Sequence, residues 1–182
     1  MLEVGQKAPA FTLESDAGKR VSLADHAGKP VVVYFYPRDN TPGCTRESIA
    51  FSEAAARFKK LGAVVLGVSR DSIASHVKFK QQHALDVALL SDPDLKVHKA
   101  FGAYGEKTMY GKKVEGVIRS TFVVGPDGKL AKVFPSVKVD GHVDKVLAAL
   151  GDGDAGKPAP AKKAAKNPAK AAPAKTAAKE KG

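Results

Sequence analysis

Three stretches of the chain are nearly unbroken runs of β-branched, aromatic and other apolar residues: Val31–Tyr36 (VVVYFY), Ala63–Val68 (AVVLGV) and Arg119–Val124 (RSTFVV). Runs of this kind predict strands buried on both faces. Gly125-Pro126-Asp127-Gly128 then marks a turn, and Lys129–Phe134 returns as a strand. Between the runs the period changes. Phe51, Ala55, Phe58 and Leu61 recur at helical spacing within 44–61, with Gly62 at the stop. Ile73, Val77 and Ala84 mark one face of a helix over 72–84, capped by Asp71 or Ser72. Asp92-Pro93 predicts the opening of a short helix, and Val143, Val146, Leu147 and Leu150 stripe the last one. With a short apolar segment at Val87–Leu90, the order predicts an α/β domain: a central mixed sheet with helices on both faces. The Gly-rich stretch 102–118, which carries Tyr104 and Tyr110, is predicted to be a long connecting loop.

The apolar pattern stops at Leu150. Residues 151–182 are mainly Ala, Lys, Pro and Gly, with no large apolar side chain. Such a segment has nothing to bury and is predicted to be a disordered basic tail, leaving 1–150 as the single folded domain. The charge divides along the same line. The 182 residues carry a net charge of +11, and the tail holds eight lysines against two aspartates and one glutamate. The chain is therefore a moderately basic body with a basic extension.

Composition narrows the chemistry. One cysteine rules out an intramolecular disulfide framework. The five histidines show no metal-ligand spacing and receive no role. No apolar run approaches a membrane span, and the opening MLEVGQKAPAFTLES lacks the pattern of a signal peptide. A cytoplasmic protein without membrane contact is expected.

That cysteine, Cys44, lies where a predicted strand gives way to a helix, in Tyr36-Pro37-Arg38-Asp39-Asn40-Thr41-Pro42-Gly43-Cys44-Thr45. A sulfur in a first helical turn meets unpaired N–H groups and the positive end of the dipole. Thiolate is the reactive form, and this setting favours it. Arg38 and Arg46 lie close in sequence and are expected to add positive field. Lone cysteines are also common as inert packing residues, so position alone leaves both readings open.

The pattern Pro37-x-x-x-Thr41-x-x-Cys44 resembles the active-site signature of peroxiredoxins, and YPRDNTPGCTRES is similar to the branch called peroxiredoxin Q or bacterioferritin comigratory protein. The likeness continues through Val4-Gly5-x-x-Ala8-Pro9-x-Phe11, Gly67-Val68-Ser69-x-Asp71-Ser72, Leu89-Leu90-Ser91-Asp92, Phe101–Lys107 and Arg119-Ser120-Thr121-Phe122. It covers about 1–150 and misses the tail. The resemblance implies a thioredoxin-like fold and a thiol peroxidase that needs no metal or organic cofactor. Cys44 would be the peroxidatic cysteine. Thr41 would hydrogen-bond the sulfur and the peroxide oxygen, and Arg119 would stabilise the thiolate and the charge on the leaving oxygen. Pro37 would shield the site, and the Gly43 and Cys44 N–H groups would donate to the peroxide. Glu47 would brace an arginine.

The chain departs from the family at the second cysteine. Many relatives place one five residues after the first, where this chain has Ile49; others place it in the helix predicted at 72–84, which here reads Val77-Lys78-Phe79-Lys80. The expected cycle uses one cysteine, its sulfenic acid being reduced by thioredoxin, glutaredoxin or a small thiol. A monomer is expected, with a Cys44–Cys44′ disulfide between two chains as the lesser route. The spaced lysines of the tail suit non-specific DNA or polyanion binding, against the simpler reading of a solubilising extension. The rival function is a nucleic-acid-binding or chaperone-like protein on a redox-inactive scaffold.

Overall fold

The computed structural model describes residues 2–150; the expected tail, 151–182, lies outside the described residues. The main sheet has seven strands in the order β2-β1-β5-β4-β3-β8-β9. They are β1 (Thr12–Ser15), β2 (Arg20–Ser22), β3 (Val31–Phe35), β4 (Val64–Ser69), β5 (Ala88–Ser91), β8 (Ser120–Val124) and β9 (Leu130–Phe134). The strands β3, β4 and β5 run parallel, while β8 pairs with β3, and β9 with β8, antiparallel. The sheet is thus mixed, as the order of elements predicts.

Every residue of β3 is buried, because both faces of the sheet are covered. Val32, Tyr34 and Tyr36 point to one core. Phe51 of α1 (Pro42–Glu53), Phe58 of α2 (Ala55–Lys60), Phe79 of α3 (Ile73–His83), and Val146 and Leu147 of α5 (His142–Ala149) complete it. Val31, Val33 and Phe35 point to the other, where they meet Phe11, and Val97 and Phe101 of α4 (Lys96–Phe101). Each such side chain contributes about 1.5–3 kcal/mol of hydrophobic stabilisation, before entropy is set against it.

Tyr34 also fixes the site-bearing helix. Its hydroxyl lies 3.0 Å from Ser48 Oγ on α1. The space for its ring comes from Gly67 on the neighbouring strand, where an added Cβ would sit 2.7 Å from the ring. A larger residue at 67 would drive the ring, and with it α1, out of place.

Several sequence expectations need correction. The helix predicted over 44–61 is two helices, broken at Ala54 (φ −91°, ψ 4°). Asp92-Pro93 does not open α4, which starts at Lys96 after Leu95 in a left-handed conformation (φ 63°). Asp92 acts across that turn instead, its carboxylate accepting from the His98 backbone N–H at 2.9 Å. The stretch 102–118 is no loop. It forms a separate hairpin of β6 (Tyr104–Met109) and β7 (Lys112–Val117), turned by Tyr110 and Gly111, both at positive φ. Its strands pair only with each other, so they lack the apolar alternation of a core strand. The short, polar β1–β2 pair was likewise invisible in the pattern.

Candidate active site

The site is built where β3 delivers the chain to α1. Pro42 and Gly43 are the first two helical residues, so Cys44 falls in the first turn, fully buried. Proline suits this position because it has no N–H to leave unpaired. The first intrahelical bond runs from Thr45 N–H to Thr41 O at 2.8 Å, so the Gly43 and Cys44 N–H groups precede it and remain for other acceptors. Pro37 is half-buried at the start of the loop.

Thr41 occupies the N-cap in an extended conformation, but its hydroxyl makes no cap bond. It donates to the Arg38 carbonyl at 2.9 Å. The proton expected to face the sulfur is therefore committed elsewhere, leaving the Thr41 oxygen as an acceptor. Asn40, at φ 62°, gives the loop the reversal that aligns these two groups.

Arg119, directly before β8, is brought to Cys44 by the pairing of β8 with β3. Its Nη2 donates to Cys44 Sγ at 3.3 Å, and its Nη1 donates to Glu47 Oε1 at 2.7 Å. Its backbone is held as well, its carbonyl accepting from Val137 N–H at 3.0 Å. Gly43 makes the approach possible, since a Cβ there would lie 3.0 Å from Nη2. Glu47 sits one turn along α1 from Cys44, buried, and its Oε2 has no hydrogen-bond partner among the described residues. Burial pushes its carboxyl up to about 7, against the pull of Arg119. Burial also works against the charge on Arg119, but Glu47 and Cys44 outweigh it and hold the guanidinium protonated.

The other arginines behave differently. Arg46 points away to an exposed ion pair with Asp140 at 2.7 Å, and Arg38 is exposed. The positive field at the sulfur therefore comes from Arg119.

Two of the histidines, given no role from the sequence, pack beside the elements that carry the site. His142 is buried against the Phe51 and Phe134 rings, with Nε2 2.8 Å from Thr121 Oγ1. Burial, then the charges of Lys145 and Arg119, push it down to about 4, so it is neutral. His76 binds Asp39, in the loop itself, at 2.8 Å. Their sequence spacing is ordinary, and only the tertiary contacts single them out. Among the described residues, no three His, Cys, Asp or Glu side chains converge as a metal site.

Known proteins resemble this chain in sequence and fold. The model of the AhpC/TSA family matches residues 4–133. The peroxiredoxin Bcp of Bacillus subtilis is 44% identical over 151 residues, covering 83% of this chain and 96% of the relative. The peroxiredoxin Bcp of Xanthomonas campestris is 46% identical over 154 residues, covering 82% and 96%. A solved structure of the X. campestris bacterioferritin comigratory protein, described for its alkyl peroxide reduction activity, superposes with a TM-score of 0.76 at 43% identity, covering 81% of this chain and 97% of that one. That likeness makes the mixed sheet and its helices a thioredoxin-like peroxiredoxin fold. On these matches the chain is a member of the AhpC/TSA family, on its Bcp/peroxiredoxin Q branch.

Proposed function

We propose that Cys44 is the nucleophile of this thiol-dependent peroxidase. The observation that carries the assignment is the Arg119 Nη2–Cys44 Sγ contact at 3.3 Å in the first turn of α1. A guanidinium N–H directed at the sulfur is placed to hydrogen-bond the attacking thiolate and remains in place as charge moves to the leaving oxygen.

The thiolate attacks one oxygen of a hydroperoxide. An S–O bond forms, the O–O bond breaks, and the departing oxygen takes a proton to leave as water or an alcohol. Cys44 becomes a sulfenic acid, two electrons more oxidised. The path is in line, so donors are needed at both ends. The Gly43 and Cys44 N–H groups and Arg119 supply them, and the Thr41 oxygen accepts the hydrogen bond of the incoming peroxide. Pro37 limits access of water. Glu47, as the carboxylate, holds the guanidinium in orientation. Hydrogen peroxide and organic hydroperoxides both suit this chemistry, and the alkyl peroxide activity attached to the X. campestris structure supports the latter.

With one cysteine in the chain, the cycle closes through external thiols. One thiol condenses with the sulfenic acid, releasing water and forming a mixed disulfide. A second thiol then attacks that disulfide, returning Cys44 as the thiol. Thioredoxin, glutaredoxin and small thiols are the candidate donors. Peroxide consumption with a panel of these donors, by wild type and Cys44→Ser, tests the reading. Turnover by Cys44→Ser would defeat it.

For 1–150 and 151–182 we keep the division into a catalytic domain and a basic extension, acting in the cytoplasm as a monomer. No helix among the described residues is long and apolar enough to cross a membrane. The extension is read as solubilising. A DNA mobility shift at low salt that disappears on removing 151–182 would reassign it to polyanion binding.

A further inference from the structure

The loop that carries Pro37 and Thr41 is gripped from behind by a buried acid–base pair. Asp39, two residues before Thr41, accepts from the Tyr36 hydroxyl at 2.7 Å through Oδ1. Its Oδ2 faces both Ser75 Oγ and His76 Nδ1 of α3, each at 2.8 Å. Its backbone N–H donates to Asp71 Oδ2 at 2.9 Å, and Ser69 Oγ donates to the same oxygen at 2.7 Å. Next to it, Asn40 Oδ1 lies 3.2 Å from His83 Nε2, at the far end of α3. The loop is thus tied to Tyr36 just after β3, to Asp71 just beyond β4 and, at two points, to α3.

His76 is completely buried, and both its ring nitrogens face acceptors. Nε2 lies 3.0 Å from the Leu90 carbonyl of β5, which has no proton to give. On the other side stands Asp39. Both of its oxygens accept hydroxyl protons, Oδ1 from Tyr36 and Oδ2 from Ser75, which is the hydrogen-bonding pattern of a carboxylate. An ionised carboxylate has no proton to offer Nδ1 either. Both nitrogens must therefore be donors.

We propose that His76 is held as an imidazolium by Asp39 and that this buried pair positions the loop bearing Pro37 and Thr41 over Cys44. The groups facing the ring are the Asp39 carboxylate from the loop, the Leu90 carbonyl from β5 and the ring of Tyr36, the residue after β3. Neither Asp39 nor His76 touches the sulfur, so both are positioning residues. The inference rests on the peroxidase reading of Cys44. A buried charge pair is a poor source of net stability, but losing one partner strands the other, so the geometry is enforced. Displacing Thr41 by about 1 Å is enough to slow the reaction substantially.

The test has two readouts on the full chain. Ring 15N spectra of the wild type, with the His76 signals assigned by their loss in His76→Gln, should show two protonated nitrogens; a neutral ring overturns the pair even where the variants fail to fold. Stopped-flow oxidation of Cys44 by hydrogen peroxide should slow roughly tenfold to a hundredfold in folded Asp39→Asn and His76→Gln. The double variant should be no slower than either single one, because the pair acts as a unit. Wild-type rates in both folded variants, or independent losses that multiply, refute the positioning role. A wild type that leaves Cys44 unoxidised instead refutes the peroxidase reading, a distinct result.

Discussion

Arg119 Nη2 donates to Cys44 Sγ at 3.3 Å across a sequence separation of 75 residues. The contact joins the start of the site helix to the first position before β8. It exists because β3 and β8 are neighbours, with Phe35 opposite Ser120. The fork of the guanidinium then spans two residues of one helical turn, sulfur on one arm and the Glu47 carboxylate on the other.

This geometry makes Arg119→Lys a severe change although the charge is kept. An ammonium cannot span both partners with a fixed fork. The second-order rate of Cys44 oxidation should fall about a hundredfold to a thousandfold, as for loss of other transition-state donors. Stopped-flow kinetics with hydrogen peroxide measures it, and a loss under threefold would remove Arg119 from the reaction.

Gly43 is the gap through which Arg119 arrives. In Gly43→Ala the new Cβ would meet Nη2 at 3.0 Å, and the guanidinium, anchored to Glu47, has little freedom to withdraw. Oxidation should slow roughly tenfold while thermal stability changes little, since alanine is the better helix former. Equal rates in the two proteins would show that the arginine yields without consequence.

Thr41 separates hydroxyl chemistry from shape. Thr41→Val preserves the shape but removes the group bonded to the Arg38 carbonyl, and should slow oxidation roughly tenfold to a hundredfold. Thr41→Ser, which keeps the hydroxyl, should stay within a few-fold of wild type. Comparable losses in both variants would point to packing instead.

Glu47 and His142 pull the pH dependence of stability in opposite directions. Glu47 titrates higher in the fold, about 7 against 4.5, so its contribution is full below 4.5 and is lost as pH rises to about 7. His142 titrates lower, about 4 against 6.5, so its contribution is full above 6.5 and is lost as pH falls toward 4. The wild type should therefore vary little through the shared window. In Glu47→Gln only the His142 dependence remains, and stability should rise by up to about 3 kcal/mol between about pH 4 and pH 6.5. In His142→Gln it should fall by a similar amount as pH rises. Urea midpoints at several pH values check the two slopes, and parallel profiles would contradict the assignment.

The elements that hold the site were legible where local pattern and tertiary role coincide. Val31–Tyr36 reads as a strand buried on both faces, and Pro42-Gly43 after it placed the cysteine in the first turn of a helix. What the sequence left open depends on distant partners. The hairpin β6–β7 pairs with itself and mixes glycine and charged residues with few apolar ones. Ala54 divides a helix whose apolar spacing runs on unbroken. Thr41 follows the Arg38 carbonyl, a consequence of loop geometry that residue types do not carry. The motif brought Arg119 to notice through resemblance, but its fork onto Glu47 and the burial of His76 and His142 arise only when strands and helices pack.

The central claim is that Cys44 is the nucleophile. It is tested most directly by mass spectrometry of the reduced chain after one equivalent of hydrogen peroxide, with a sulfenic-acid trap present. The expected result is one trapped oxidation, located on Cys44 and absent when an external thiol is added before the trap. Peroxide consumed with Cys44 left as the unmodified thiol would contradict the account.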